Sequence, residues 1–198
     1  MTRRKLFALT LLFVILSASS SFGAFREVQF GRYYQASREL TPVQWLVLDE
    51  DDDSLLLLTK DCVDCLPYNE RRIVVTLENS TLRKWLNNEF LNTAFNSQEQ
   101  AAIISLSLLT LDEAMKYLPE VSQRQCSPTV YAKTRGAYTN GRGLCAWWLS
   151  SPGNDPLQAA YFSSAGDLGN RPHYVDYDVI GDRDEFTAVN SAGSSVQR

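Results

Sequence analysis

The chain has 198 residues, with 19 Lys and Arg against 23 Asp and Glu, so its formal net charge is −4. This length suits one domain that can bury a hydrophobic core. The excess of acidic residues excludes a function based on binding the phosphate backbone of nucleic acids, because such binding requires basic patches.

The first 24 residues have the layout of a secretory signal peptide. Three basic residues at positions 3–5 precede an apolar run at residues 6–16, and small residues follow. That run is roughly half of what a membrane-spanning helix requires. We therefore expect cleavage after Gly23 or Ala24 and no stable membrane span. The mature domain would hold 16 basic and 23 acidic residues, a net charge of −7, and would be secreted or held in the periplasm or cell envelope.

The next segment, residues 25–60, shows the period-two pattern of β-strands. Apolar and polar residues alternate around Val28 and again around Trp45, and four consecutive leucines form a return strand. The acidic run at residues 49–53 separates the last two strands. An EF-hand calcium loop needs Gly and Glu at the positions where this chain has Ser54 and Lys60. We predict a solvated hairpin turn here and no metal site.

Four cysteines follow, and an even number in an exported chain indicates disulfides with three possible pairings. The spacing of Cys62 and Cys65 also fits a redox motif or half of a zinc site. A thioredoxin-like motif should lead from a strand into a helix, whereas a proline-containing loop follows here. A four-cysteine zinc site normally has two close pairs, but Cys126 and Cys145 lie far apart. We favour structural disulfides or buried thiols, with the redox and zinc sites as alternatives.

Helical patterns occupy the middle of the chain. Apolar positions three and four apart predict a helix that starts near Ser80 and carries Trp85 and Phe90 on one face. These two rings could form a ligand-binding pair, but the spacing favours core residues. Two capping boxes, at residues 97–100 and 110–113, predict further short helices.

The remaining sequence is rich in turns. After Gly153 the composition shifts toward Gly, Ser, Asp and Tyr, and apolar stretches at residues 159–162 and 174–180 indicate short strands. Strands, then helices, then strands predict a single α+β domain over residues 25–198. We expect a mixed, mainly antiparallel sheet with two or three short helices and a long loop-rich C-terminal half.

The segment from Cys126 to Gly153, with its paired tryptophans and Ser-Pro-Gly turn, resembles the signature of a bacterial family known as domain of unknown function 6273. Other segments that resemble this family are residues 30–35, 42–49, 64–69, 80–95, 111–114, 159–161 and 166–169. The resemblance implies an organisation like that of C-type-lectin-like domains, in which a mixed sheet and two helices support an irregular loop region. It implies no particular activity.

The chain departs from this family at two places. Ala146 and Ser150 stand where the family usually has an aromatic residue and an arginine. The family also tends to end in a Val-Arg-Pro-Ala-Leu-Trp-like strand, whereas this chain ends at residues 195–198. A missing terminal strand would leave a sheet edge unpaired, which exported proteins normally avoid.

No catalytic constellation stands out in the sequence. His173 is the sole histidine, falls in a predicted loop and has no nucleophile motif nearby. The acidic residues near it are too many to single out an acid–base pair, and no nucleotide-binding motif predicts a cofactor. We expect an exported noncatalytic recognition domain that binds a glycan or a cell-surface protein. The alternatives are a structural envelope protein and an extracytoplasmic enzyme, either a carbohydrate hydrolase or a cysteine-dependent oxidase of a lectin-like fold.

The ligand surface is predicted around the tryptophan pair. Adjacent residues of a strand point to opposite faces, so one indole should be in the core and the other should meet the C-terminal loop. Aromatic rings beside carboxylates suit sugars, although burial of both indoles is the alternative. The predicted surface comprises Trp147, Trp148, Tyr161, His173, Tyr174, Asp176 and Tyr177.

A disulfide is predicted between Cys126 and Cys145, because these two residues bracket one loop region. Closing a loop of this length stabilises a fold in the chain-entropy model. Their Cα atoms should then lie within about 7 Å of each other.

Overall fold

The computed structural model describes residues 25–36, 38–169, 174–176, 187–189 and 192–197, the last two stretches for their backbone only. The predicted signal peptide lies outside these residues. The strands are β1 (Glu27–Tyr34), β2 (Leu40–Glu50), β3 (Ser54–Thr59), β4 (Asp64–Cys65), β5 (Ile103–Ser105), β6 (Ala146–Pro152), β7 (Ala159–Phe162), β8 (Thr187–Val189) and β9 (Ala192–Gln197). The α-helices are α1 (Thr81–Trp85), α2 (Leu91–Ala94), α3 (Ser97–Ala102), α4 (Leu111–Tyr117) and α5 (Val130–Thr134).

The first sheet has five strands in the order β1-β2-β3-β9-β5, and every neighbouring pair is antiparallel. The acidic run forms the turn between β2 and β3, as predicted. Asp51 accepts hydrogen bonds from the backbone N–H groups of Asp53 and Ser54, and these bonds lower the pKa of its carboxyl. β9 pairs with β3 on one side and β5 on the other, so the end of the described chain lies inside this sheet.

The second sheet has four strands in the order β4-β8-β6-β7. Its β6–β8 pair is parallel and its other pairs are antiparallel. The predicted α+β class with mainly antiparallel sheets and a few short helices is therefore confirmed. α5 was missed because its five residues are too few to show helical periodicity. None of the helices in the described part of the chain is long and apolar enough to cross a membrane.

One helical segment, residues 81–94, runs from α1 through a π-helical stretch (Leu86–Phe90) into α2. Ser80 caps its start by accepting a hydrogen bond from the N–H of Arg83, close to the predicted boundary. The side-chain amides of three asparagines each donate to the carbonyl four residues earlier; these are Asn87, Asn88 and Asn92. Such side-chain bonds compete with the backbone hydrogen bonds of the helix for the same carbonyl groups and favour the π-helical stretch.

The two predicted capping boxes have different outcomes. Thr110 and Glu113 form the predicted box at the start of α4. The box of α3 is made by Asn96 and Glu99, one residue earlier than predicted. Asn96 ends the preceding amphipathic pattern and caps the next helix, because its side chain accepts hydrogen bonds from two backbone N–H groups.

The two sheets and the helices enclose two hydrophobic cores. The first core lies around Trp45, Leu86 and Phe90, and the second contains Phe162 and all four cysteines. Trp147 packs in the second core and Trp148 in the first, so the adjacent indoles point in opposite directions as predicted. β6 therefore carries core residues on both of its faces.

Candidate functional site: a cleft beside Trp85

A cavity of about 550 Å³ opens between the helical segment 81–94, the chain after β4 and the end of α5. This volume falls in the range of small-molecule sites. Its lining combines apolar, amide and charged side chains: Leu66, Pro67, Glu70, Thr81, Leu82, Lys84, Trp85, Asn88, Glu89 and Arg135. We refer to this cavity as the cleft.

Trp85 forms an aromatic wall of the cleft. Its ring stacks on Phe90, with 5.2 Å between centroids, and meets Tyr33 edge-on at 6.4 Å. Phe90 is fully buried as predicted, but Trp85 is only partly buried, so the prediction that both are core residues is corrected for Trp85. It sits at the border of the apolar face and lines the cavity.

The indole N–H of Trp85 differs from those of the other three tryptophans. Trp45, Trp147 and Trp148 donate to backbone carbonyls at 2.7, 2.8 and 3.2 Å. Among the described residues, Trp85 has no hydrogen-bond acceptor. Trp85 therefore contributes an aromatic ring to the cleft lining, and its N–H donor is not bonded to another described residue.

A buried carboxylate contacts Arg135, one of the residues that line the cleft. Asp64 of β4 accepts a 2.9 Å hydrogen bond from the phenol of Tyr33, and Arg135 approaches it at 3.3 Å. Burial raises the pKa of Asp64, partly offset by these bonds and by the N–H of Cys65. The side chain of Arg135 is half exposed, so its guanidinium links the buried carboxylate to the cleft.

The position of Arg135 is set by α5. Thr129 caps this helix through the N–H of Ala132, and the N–H of Tyr131 donates to the carbonyl of Gln35 beyond β1. The ring of Tyr131 then packs against Tyr34 at 4.9 Å. These contacts fix the end of α5 beside the first sheet, which places Arg135 over Asp64.

A turn at residues 69–72 joins the cleft to the predicted C-terminal surface. Glu70 lines the cleft, and its N–H donates to the hydroxyl of Thr81. Two residues later, Arg72 bonds Asp176 at 2.8 Å and lies 4.2 Å from the ring centre of Tyr174. Tyr174 and Asp176 are both partly exposed, so this part of the predicted surface is accessible.

The other predicted ligand residues have a different placement. Trp147, Trp148 and Tyr161 are buried, with 1%, 0% and 4% exposure. Trp148 does contact Tyr161, at 6.3 Å between ring centroids, but this contact lies inside the first core. The expectation of an accessible indole at this position is corrected, because β6 is an interior strand with a core on each face. His173 and Tyr177 lie outside the described residues.

The four cysteines are buried, and none of them lines the cleft. Cys126 and Cys145 are bridge partners, with a backbone bond of 2.9 Å, which agrees with their predicted proximity. The sulfur of Cys126 lies 2.8 Å from that of Cys62. Hydrogen bonds from Cys126 and Cys62 lower the pKa of Cys145, whereas burial raises the pKa of Cys62. A disulfide between Cys126 and Cys145 stays a prediction.

Sequence reasoning missed the cleft, although one signal was present. Polar residues surround Trp85 at helical spacing: Lys84, Asn88 and Glu89. Such neighbours predict that an aromatic side chain on a helix is partly exposed. Asp64 and Arg135 gave no signal, since they are 71 positions apart in sequence.

Comparison with known families supports one of the predictions. The model for domain of unknown function 6273 matches residues 52–125, which confirms the predicted resemblance to this family over that segment. The match includes Asp64 and Trp85, whereas Arg135 and the tryptophan pair lie beyond it. Neither the curated proteins nor the solved structures contain a match to the chain.

Proposed function

We propose that the chain is an exported, noncatalytic recognition domain whose cleft beside Trp85 binds a glycan, with a cell-surface protein as the alternative ligand. The observation that carries the proposal is the partly buried indole of Trp85, which lines the cavity and whose N–H has no acceptor among the described residues. Sugars stack their apolar faces on aromatic rings and exchange hydrogen bonds through their hydroxyl groups.

The charges around the cleft support a hydroxyl-rich ligand. Lys84 and Arg135 face the same cavity as Glu70 and Glu89, so neither sign of charge dominates. Asn88 and Thr81 add an amide and a hydroxyl group. This mixture offers both donors and acceptors, which suits a neutral sugar better than a strongly charged molecule.

The enzymatic alternatives differ in how they fit the cleft. A carbohydrate hydrolase needs two carboxyl groups on either side of the bond that is cleaved, and Glu70 and Glu89 are the candidates in the lining. A cysteine-dependent oxidase needs an accessible thiol. All four cysteines are buried and none lines the cleft, which favours the hydrolase as the rival.

The proposal is tested by a glycan array and a cell-surface extract, followed by titration of the best ligand. Replacing Trp85 by Ala should weaken binding at least about tenfold. The free energy contributed by an aromatic contact and by the burial of its ring corresponds to a change in affinity of about this size. Trp85→Phe keeps an aromatic ring but loses the N–H donor, so its affinity should fall between those of the parent and Trp85→Ala. Tyr138→Ala is the control, since Tyr138 is an exposed aromatic residue outside the cleft lining.

The outcomes separate the candidate functions. A folded Trp85→Ala protein that binds like the parent would remove the cleft as the binding site. New reducing ends released from the bound glycan, and lost in Glu70→Gln or Glu89→Gln, would instead establish a hydrolase. A ligand recovered from the extract that withstands glycosidases but not proteases would assign the cleft to a protein partner.

Export is tested separately from binding. When the full chain is produced in a bacterial host, the mass of the recovered protein should correspond to an amino terminus at Ala24 or Phe25. Recovery from the extracytoplasmic fraction is expected. An intact amino terminus in the cytoplasmic fraction would contradict the proposed export and leave the binding test unaffected.

A further inference from the structure

Three sulfur atoms meet inside the second core. Cys62 lies just after β3, Cys126 precedes α5, and Cys145 precedes β6. The sulfurs of Cys62 and Cys126 are 2.8 Å apart, about 0.8 Å beyond the length of a disulfide bond. The neighbouring backbone is already paired, because the N–H of Cys62 donates to Ser127 and the N–H of Thr129 donates to Cys62.

We propose that, under oxidising conditions, Cys62 and Cys126 form a disulfide and Cys145 remains beside it as a thiol. The bond would tie residues 60–65 to the segment that leads into α5. The first segment carries Asp64 and the second leads through α5 to Arg135, so the crosslink would support the contact between Asp64 and this residue of the cleft lining. The proposal concerns a covalent site and does not depend on the ligand of the cleft.

The geometry favours this pair over Cys126 and Cys145. The latter two are directly opposed bridge partners of antiparallel backbone. Directly opposed residues have Cβ atoms about 4.5–5.5 Å apart. A disulfide requires about 3.5–4.5 Å, so a bond across the bridge is compatible only with the shortest spacing of directly opposed residues. Cys62 approaches Cys126 from a separate segment, and its pairing to Pro128 leaves the two side chains facing each other.

The redox step balances with a disulfide oxidant. The thiols of Cys62 and Cys126 lose two protons and two electrons, and one S–S bond forms. An oxidant such as oxidised glutathione loses its own S–S bond, takes up the two electrons and two protons, and leaves as two thiols. Because the exposed fractions of Cys62 and Cys126 are 0% and 4%, we expect the bond to form during folding, before the core closes.

Disulfide mapping tests the pairing directly. The full chain is refolded in a buffer of oxidised and reduced glutathione, alkylated in denaturant, and digested with trypsin and a protease that cleaves before Asp. Cleavage before Asp64 separates Cys62 from Cys65. The expected product joins residues 61–63 to residues 125–133, with Cys145 alkylated. A link from Cys126 to Cys145, a link from Cys62 to Cys65, or four alkylated cysteines would each overturn the proposal.

Serine variants supply a second measurement. Cys62→Ser should lower the thermal midpoint of the oxidised protein by about 5 to 15 °C, since it opens a long crosslinked loop. Cys65→Ser and Cys145→Ser should each keep the mapped link and its dependence on reductant. Comparison of each variant with and without dithiothreitol removes the effect of packing, because only a disulfide responds to reduction. A midpoint of the parent that does not change with reductant would contradict the proposed bond.

Discussion

Tyr33 donates its phenolic proton to Asp64 across 2.9 Å, which joins β1 of the first sheet to β4 of the second. Arg135 approaches the same carboxylate from the cleft, at 3.3 Å. Burial and the charge of Asp64 raise the pKa of Tyr33, so the phenol remains a donor at neutral pH. One buried carboxylate thus connects both sheets and the end of α5.

The raised pKa of Asp64 predicts a specific dependence of stability on pH. The folded state holds the proton of Asp64 more tightly than the unfolded state does, so stability contributed by this group is lost as pH rises through the folded pKa. Asp64→Asn cannot titrate. The free energy of unfolding of this variant, relative to the parent, should therefore increase as pH rises from about 4 toward 7.

Asp51 provides the opposite case. Hydrogen bonds in the β2–β3 turn lower its pKa, so its contribution is present above the unfolded pKa and is lost as pH falls. Asp51→Asn should therefore lose stability relative to the parent as pH rises through the acidic range. Urea unfolding at several pH values measures both differences. Equal slopes for the two variants would contradict the opposite directions of the two pKa shifts, and with them the raised pKa of Asp64.

The start of α3 offers a test that distinguishes two adjacent residues. Asn96 accepts hydrogen bonds from the N–H groups of Gln98 and Glu99, whereas Ser97 is the first residue of the helix. Asn96→Ala should cost about 1 kcal/mol of unfolding free energy, and Ser97→Ala should change it by less than about 0.5 kcal/mol. Chemical denaturation of both variants measures the difference. A larger loss in Ser97→Ala would restore the boundary predicted from sequence.

The features that sequence predicted correctly are mostly local. The acidic turn, the box of Thr110 and Glu113, and the opposed directions of Trp147 and Trp148 depend on residues close together in the chain. That neither indole reaches the surface follows from tertiary packing, because a hydrophobic core covers each face of β6. Which segments pack on the two faces of a strand is a long-range property that alternation along the strand does not encode.

The cleft required tertiary information for a related reason. Its lining residue Arg135 contacts Asp64 across 71 positions of sequence, and its aromatic wall is a tryptophan at the border of a helical face. Periodicity identified that face but did not show which border would remain open. The matched family segment ends at residue 125, so it does not reach Arg135.

Gly166 occupies a position that accepts no side chain. Its φ is +90°, and a Cβ atom there would lie 2.3 Å from the carbonyl oxygen of Val121. Gly166→Ala should lower the unfolding free energy by about 2 to 4 kcal/mol, from backbone strain and overlap together. Gly141 is the control, because a Cβ atom there has nothing within 4 Å. Gly141→Ala should be neutral or slightly stabilising. Similar losses of unfolding free energy in the two variants would show that the backbone at Gly166 can shift to accept a side chain.

Arg124 is a buried cation that is satisfied by backbone carbonyls. Its Nε donates to Gly166 at 2.9 Å, and its Nη1 donates to Leu118 and Pro119 at 2.8 and 2.9 Å. Its guanidinium also lies 5.3 Å from the ring centre of Phe162. The planar fork of arginine reaches these carbonyls together, which the ammonium group of lysine does not reproduce.

We therefore expect Arg124→Lys to lower the unfolding free energy by about 2 to 4 kcal/mol, despite the conserved charge. Exposed Arg142 is the matched control, and Arg142→Lys should change stability by less than about 0.5 kcal/mol. Urea titration followed by tryptophan fluorescence measures both, since Trp147 donates to the carbonyl of Arg124 and reports on this region.

Because Arg124 and Gly166 share a hydrogen bond, the double variant Arg124→Lys with Gly166→Ala should lose less unfolding free energy than the sum of the single losses. Strictly additive losses would mean that the strain at residue 166 is not transmitted to the hydrogen bond between Nε and its carbonyl.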